Sequence, residues 1–327
     1  MDKIRIGIAG YGNVGRGVEK AVAASTDMEL RAVFTRRAPE SLRLADSAVC
    51  VCSVEDAEKM TDDIDVMLLC GGSATDLKDQ GPRFAKLYNI VDSYDNHTQI
   101  PEYLAEIDAA AKKTTAIISS GWDPGLFSIS RLLSQAVLPD GESYTFWGKG
   151  VSQGHSDAIR HVVGVKNAVQ YSIPIESAIK KVRSGSRPKL EAGQKHKREC
   201  YVVTESNADK SLIEDTIKSI PYYFADYDTT VHFIEDDDFQ ANHTKMPHGG
   251  MVIHSGSTGK NRENRQTIEF SLKLESNPEF TGSVMVAYAR AAFRMAREGL
   301  YGAKTVFDVP LAYLSIWDRQ TLIKKLL

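Results

Sequence analysis

Ile4-Arg5-Ile6-Gly7-Ile8-Ala9-Gly10-Tyr11-Gly12-Asn13-Val14-Gly15 decides how the rest of the chain is read. Its first half is a short β-branched run (Ile4, Ile6, Ile8), the pattern of a buried parallel strand. The run breaks at Gly10, and Val14, Val18, Ala21 and Val22 follow as an apolar stripe at helical spacing. Between strand and helix stands Gly10-x-Gly12-x-x-Gly15. In a dinucleotide site these glycines supply a tight turn, room for a pyrophosphate against bare backbone, and close helix–strand contact. The helix that begins here turns free N–H groups and its positive dipole end toward the phosphates. The stretch therefore predicts cofactor contacts at Gly10, Tyr11, Gly12, Asn13, Val14 and Gly15.

The next strand, Leu30 to Phe34, settles which dinucleotide. A fold specific for NAD ends this strand on an acid that binds the ribose 2′-hydroxyl. Here it ends on Thr35-Arg36-Arg37. A hydroxyl and two guanidinium groups suit a 2′-phosphate that a carboxylate would repel. The cofactor is read as NADP.

Strand and helix patterns continue to alternate up to about residue 121, as a Rossmann-type doubly wound parallel sheet requires. Asp65 to Cys70, Asn89 to Asp92 and Ala116 to Ile118 are its further strands, and a helix-forming stretch follows Arg37. Ligands sit beyond the carboxyl ends of such strands. Three loops are thereby expected at the cofactor: Cys70-Gly71-Gly72-Ser73-Ala74-Thr75, Ser93-Tyr94-Asp95, and Gly121-Trp122-Asp123-Pro124-Gly125.

After Asp123 the pattern changes. Ser128 is placed to cap a helix through Leu138, with Leu132, Leu133 and Val137 as its apolar face. Strands follow at Tyr144–Trp147, Glu199–Val203, Thr229–Ile234 and Gly250–Ser255, and at Gln266–Leu274 Ile268, Phe270, Leu272 and Leu274 alternate with polar residues. Such alternation describes an antiparallel sheet with one face buried and the other exposed or covered by a partner. The fold class is thus α/β: the parallel sheet plus a second, α+β domain with a mainly antiparallel sheet. The boundaries read as 1–121 for the dinucleotide domain, with 278–327 returning to it, and 122–277 for substrate binding and dimerisation.

A chain of 327 residues, a quarter of them charged, with a net charge of −3, fits two globular domains. It carries no basic tract, which leaves nucleic acid and acidic membranes without electrostatic support. No signal or transit peptide and no long apolar span is read, and the four cysteines lack the C-x-x-C spacing of zinc or redox sites. They fit a reduced, cytoplasmic protein. No histidine pair at metal-binding spacing occurs, and no metal is expected.

Four loops rich in polar and small residues compete for the chemistry: Tyr94–His97, Gly121–Gly125, Ser152–Asp157 and His243–Gly250. Asp95 and Asp123 suit a cationic group such as a substrate ammonium, although loop carboxylates also serve as turn residues. His155 and His248 can act as acid–base groups or anion donors, or stand as ordinary loop histidines.

Ser120-Gly121-Trp122-Asp123-Pro124-Gly125, Thr145-Phe146-Trp147-Gly148, Ser152-Gln153-Gly154-His155-Ser156-Asp157-Ala158, Lys197-Arg198-Glu199-Cys200 and Met246-Pro247-His248-Gly249-Gly250 closely resemble the meso-diaminopimelate dehydrogenase family. The likeness covers essentially the whole chain. It implies an NADP-dependent homodimer that reversibly deaminates the D-centre of meso-2,6-diaminopimelate, in lysine and cell-wall precursor synthesis. By the same resemblance the reacting end meets Asp95, Asp123, Trp147, Gln153 and Gly154, with Asp95 and Asp123 as catalytic groups. The distal L-amino-acid end meets Ser172, Arg198, His248 and Asn277, and Gln99 stands where some members carry Asp. The substrate has two carboxylates and two ammonium groups, so a receptor with both signs of charge fits it. Two other readings have distinct signatures. A reductase of another small metabolite requires a Lys or His placed for a carbonyl or ring, without the Ser152–Ala158 motif. An NADP(H)-sensing regulatory protein lacks the convergence of charge in the second domain.

Overall fold

The computed structural model describes residues 3–327. They form two compact units: the described residues up to Ile129 together with Pro278–Leu327, and Ser130–Asn277.

The first unit begins with β1 (Ile4–Ala9), α1 (Asn13–Ala23), β2 (Met28–Thr35), β3 (Cys50–Ser53) and β4 (Val66–Leu69). It continues through α2 (Leu77–Ala85), β5 (Asn89–Asp92), α3 (Ile100–Ala110) and β6 (Thr115–Ile117). The helix α4 (Leu126–Val137) runs across the boundary into the second unit. That unit holds β7 (Glu142–Trp147), β8 (Gly150–Val151), α5 (Gln153–Arg160), β9 (Val165–Pro174), α6 (Glu176–Arg183) and α7 (Ala192–Lys195). After these come β10 (His196–Thr204), α8 (Lys210–Ser219), β11 (Thr229–Phe233), α9 (Asp236–Asn242), β12 (His248–Thr258) and β13 (Asn264–Leu274). The chain then returns through α10 (Asn277–Arg297), β14 (Gly302–Lys304) and α11 (Arg319–Leu326).

The first unit is a seven-stranded parallel sheet of order β14-β6-β5-β4-β1-β2-β3. Ile4, Ile6 and Ile8 enter one apolar layer with residues of α10, while Ala9, Phe34, Met67 and Leu69 enter the other with residues of α2 and α3. Burial on both faces is why these strands are nearly continuous apolar runs. The strand order reverses on either side of β1, which puts the ligand crevice of such a sheet at the carboxyl ends of β1 and β4. In the second unit β11-β10-β9-β8 form one sheet and β13-β12-β7 another. All pairs there are antiparallel except β10 with β11. The fold class read from the sequence is the one observed.

Several local readings change. The stretch after Arg37 makes only a short 3-10 turn at Pro39–Ser41, and beyond it the Ala45 N–H is held at 2.8 Å by the Glu19 carboxylate. Side-chain bonds to the backbone and a proline at the turn's start compete there with a continuous helix. Ser152–Asp157, read as a loop, is the cap and body of α5, pinned to β9 where the Gln170 N–H donates to Ser156 Oγ at 2.9 Å. Helix α4 starts at Leu126, ahead of Ser128, and Leu132, Leu133 and Val137 are exposed rather than core. On β13 Phe270 is exposed too and Ile268 and Leu272 are half-buried, so of the alternating apolar face only Leu274 is fully buried within the chain.

Helices α1 and α10 cross at two glycines. A Cβ on Gly282 would lie 2.5 Å from the Gly17 carbonyl carbon, and one on Gly17 would run into the Pro278 carbonyl. Backbone stands on both sides, so neither neighbour can give way cheaply. Gly282→Val should therefore lower the thermal midpoint, at a cost of about 2–3 kcal/mol for overpacking. Ser283→Ala, on the exposed side of the same helix, should leave it unchanged; calorimetry on the two variants reads the difference.

Candidate active site

The cofactor end of the first unit is shaped by close backbone approach. Gly10 has φ +92°, and a Cβ there would meet the Cys70–Gly71 peptide at 3.2 Å. A Cβ on Gly15 would strike the Gly10 carbonyl oxygen, which ties the start of α1 to the end of β1. Gly12 is different: nothing stands within 4 Å of where its Cβ would be, and no side chain caps α1. That is an open cradle beside a helix N-terminus, the form a pyrophosphate requires. At the end of β2, Thr35 Oγ1 accepts the Arg37 N–H at 3.0 Å, and Arg37 Nη2 donates to the Tyr11 carbonyl at 2.6 Å. Arg36, with 67% of its side chain exposed, pairs with Asp76 at 2.7 Å. Asp76 also accepts the Gly72 N–H at 3.0 Å and the Thr75 hydroxyl at 3.2 Å, so it fixes the turn after β4. These residues fit NADP: an open glycine cradle, a hydroxyl and two guanidinium groups, and no acid at the end of β2.

A residue that sequence reasoning missed organises the other two loops. Asp92 is fully buried at the end of β5 and accepts the Tyr94 N–H at 3.0 Å, the Ser119 N–H at 2.9 Å and the Tyr103 hydroxyl at 2.8 Å. Its carbonyl takes the Ser120 N–H and hydroxyl. One residue thus ties Ser93–Asp95 to the segment leading into Gly121–Gly125. Burial pushes its carboxyl up to about 6, against the lowering effect of these three donors. The only signal in the sequence was an acid closing an apolar strand. Asp95 itself is exposed, with its N–H on Ser73 Oγ at 3.1 Å, which joins this loop to the turn after β4. Asp123 is half-buried, between the buried Trp122 and a cis bond to Pro124, and Gly125 at φ +132° closes the turn.

In the second unit the sheet register assembles the charged residues. Ser172 on β9 is opposite Arg198 on β10, and Gly150 on β8 is opposite Ser172 from the other side. Arg198 is only 6% exposed. Its Nη1 donates to Ser172 Oγ at 2.7 Å, and its guanidinium lies 3.8 Å over the Tyr227 ring. Its Nε is buried without a partner, and among the described residues no carboxylate pairs with it. Burial lowers its pKa. A desolvated cation with a spare donor is a site for an anion.

Two of the surrounding imidazoles, His196 and His155, are held neutral near pH 7. The His196 Nε2 accepts the Trp147 N–H at 2.8 Å while the two rings stack at 5.2 Å. Burial, then the Arg198 charge, pushes His196 down to about 3. His155, bonded through Nδ1 to Ser152 Oγ at 2.5 Å, meets Tyr223 and Phe224 edge-on. Burial, Arg198 and His248 push it down to about 4. Half-buried His248 accepts the Gly249 N–H on Nδ1 at 2.8 Å. Gln153 is exposed, with Nε2 at 3.3 Å from Met246 Sδ, and the Asn277 N–H donates to the Met246 carbonyl. Gly154, like Gly12, faces open space. Ser172, Arg198, His155 and His248 thus share one neighbourhood, as do Trp147 with His196 and Gln153 with Met246. Tyr227 and His196 were not singled out from sequence, since only the strand register reveals them. Among the described residues no cluster suits a metal ion.

Residues 121–276 match the family model described as the diaminopimelic acid dehydrogenase C-terminal domain. The chain is 58% identical to the meso-diaminopimelate D-dehydrogenase of Lysinibacillus sphaericus, over the whole of both chains. It is similar to the solved DAP dehydrogenase of C. glutamicum in complex with DAP, at a TM-score of 0.92 and 45% identity over the whole of both chains. An engineered D-amino acid dehydrogenase bound to NADP+ matches with a TM-score of 0.87 at 44% identity, over 99% of this chain and all of that one.

The two depressed histidines give the fold an acid sensitivity of known sign. An unfolded chain takes up both protons below the ordinary value of 6.5, whereas the folded chain does so only near 4 and 3. Stability should therefore fall as the pH drops through this window. Asp92 acts in the opposite sense between 3.8 and about 6, because its raised carboxyl is protonated first in the folded state. The double variant His155→Gln/His196→Gln isolates the histidines. Between pH 6.5 and 5 it should lose less stability than the wild type, by about 3 kcal/mol, in urea titrations at the two pH values.

Proposed function

This chain belongs to the meso-diaminopimelate D-dehydrogenase family, and from that premise we infer how its own residues divide the work. It is an NADP-dependent amino-acid dehydrogenase. It deaminates the D-centre of meso-2,6-diaminopimelate oxidatively to L-2-amino-6-oxopimelate, which cyclises to tetrahydrodipicolinate, and ammonia, in lysine and cell-wall precursor biosynthesis. The observation that carries the division of roles is Arg198, a buried guanidinium without a carboxylate of its own.

Arg198, steadied by Ser172 and Tyr227, takes the distal carboxylate, with His248 and Asn277 completing that end. Asp95 and Asp123 serve the reacting ammonium together with Trp147, Gln153 and Gly154. Gly10–Gly15, Thr35–Arg37, Cys70–Thr75, Ser93–Asp95 and Gly121–Gly125 hold the cofactor, which when bound accepts the hydride from the D-carbon. Before that transfer the ammonium must lose a proton, and a carboxylate oxygen of Asp123 is placed in this role. The same carboxylate then faces the positive charge that develops as the carbon–nitrogen double bond forms, and so stabilises it. Water adds to that carbon, and ammonia leaves. Anchoring the far end at Arg198 makes the approach of the D-centre effectively unimolecular.

The test is NADP reduction at alkaline pH with the meso-, L,L- and D,D-isomers. The L,L-isomer, held by its distal end, presents hydrogen and ammonium wrongly at the reacting carbon and should be rejected by roughly a thousandfold. Arg198→Ala should raise the KM for the meso substrate on the order of 10- to 100-fold while NADP titrates normally. Asp123→Asn should lower kcat and keep KM. An unchanged KM in the first variant removes Arg198 from the distal site; an unchanged kcat in the second removes Asp123 from the chemistry.

The exposed Leu132, Leu133 and Val137 of α4 and Phe270 of β13 also belong to one assignment. They are the apolar face through which two copies pair as a cytoplasmic homodimer, in keeping with four free thiols. Sedimentation at micromolar concentration should give twice the chain mass. Leu133→Asp with Phe270→Asp should give the monomer, whereas a wild-type monomer would rule the homodimer out.

A further inference from the structure

Strand β3 is the outer strand of the parallel sheet, and it carries two cysteines two residues apart. Residues at that spacing point to the same face of a strand. Cys50 is exposed and Cys52 half-buried, both thiols are free, and their side chains are in direct contact. Two steps along a strand span about 6.6 Å between Cα atoms, at the upper end of the roughly 4.4–6.8 Å a disulfide accepts, so closing a bridge draws the two Cβ atoms together and bends the strand. Cys50 also lines a cleft of 620 Å³ whose wall carries Lys3, Arg31, Glu19 and Asp63. Both signs of charge beside a reachable sulfur match a zwitterionic, amino-acid-based thiol compound.

We propose that Cys50 and Cys52 are a modification site for low-molecular-weight disulfides of the amino-acid class, with Cys50 exchanging first and Cys52 closing an internal bridge. In the first step the Cys50 thiolate attacks one sulfur of the small disulfide. A Cys50–S–S–R bond forms, the S–S bond of the reagent breaks, and R–S⁻ leaves. In the second step Cys52 attacks the Cys50 sulfur, releases a second R–S⁻, and its proton passes to a leaving thiolate. Two protein thiols are oxidised and one small disulfide is reduced to two thiols. The order follows from access, since Cys52 is the less exposed. Burial and the bond to Cys50 also push its thiol up to about 12, which makes it the donor of the pair.

The site reports on cofactor binding through strand register. Phe34 pairs with Cys52 and Thr35 with Ser53, so the bridge strains the strand beside the one that ends in Thr35-Arg36-Arg37. The oxidised enzyme therefore binds NADP more weakly.

The experiment treats the full chain with oxidised glutathione and follows intact mass, thiol titration after denaturation, and NADP binding. The wild type should fall from four free thiols to two, with no adduct retained. Cys52→Ser should stop at a mixed disulfide on Cys50. Cys50→Ser should stay unmodified at its three remaining cysteines and keep its deamination rate. A wild type that retains four thiols, or an adduct mapped to Cys70 or Cys200, overturns the site. A bridge that leaves the NADP titration unchanged overturns its coupling to the cofactor, and dithiothreitol should reverse any genuine effect.

Discussion

Arg198 is nearly excluded from water, and a hydroxyl and the face of a tyrosine ring stand where a carboxylate would ordinarily be. Removing such a charge from water costs several kcal/mol, which a hydroxyl and a cation–π contact of about 2 kcal/mol repay only in part. An anion reaching the guanidinium would recover the remainder. The second unit is built to tolerate that deficit. His196 and His155, which lie within the field of Arg198, are both held neutral, so neither adds its charge to that of the guanidinium. The cross-strand pair with Ser172 fixes the direction of the guanidinium before any ligand is present. Binding energy is then not spent on ordering the side chain.

The first unit is governed by a different constraint, the nearness of backbone to backbone. Gly10 against Cys70–Gly71 and Gly15 against Gly10 leave no room for side chains, and Gly12 leaves room that no side chain fills. The loops around this cradle are not independent. Asp92 binds the segments after β5 and β6 to each other, Asp95 reaches Ser73, and Asp76 joins the turn after β4 to Arg36. Each of these three acids spans two loops, so displacement of one loop is felt by the next. Arg36 is therefore not a free cation awaiting a phosphate. A 2′-phosphate at the end of β2 would share it with Asp76, and because Arg36 is largely exposed that exchange would cost little.

Much of this was legible in the sequence, for a local reason. The strand, glycine and helix pattern at Ile4–Val22 is written within one window, and so are the change at Thr35–Arg37 and the polar loops that close each parallel strand. The long strand β9 was not: Val169, Tyr171 and Ile173 do alternate with Gln170 and Ser172, but Asn167 breaks the apolar series and the polar Gln170 and Ser172 are buried as well. Helix α5 was read as a loop because its polar residues hide the single buried Ile159. The apolar face of α4 was read from periodicity, and periodicity records that a face is apolar and not what covers it. Arg198 and Ser172 entered the reading through resemblance. What makes Arg198 unusual is the absence of an acid across the register of β9, β10 and β11, and no single stretch of sequence contains that information.

The placement of opposite charges on different units follows from the same electrostatics. Asp95 and Asp123 belong to one unit, and Arg198 and His248 to the other. A carboxylate within a few ångströms of Arg198 would form a buried ion pair, and a substrate carboxylate could then bind only by breaking it. Breaking such a pair costs about 3–5 kcal/mol, enough to remove most of what a charge-assisted contact provides. The acids would lose as much, since a carboxylate already neutralised by arginine is a poor acceptor for an ammonium proton. Set among a hydroxyl, an aromatic ring and the neutral His196 and His155, Arg198 holds a charge that no carboxylate among the described residues of its own unit compensates, and a charge held in that way acts most strongly on an anion that brings its own carboxylate.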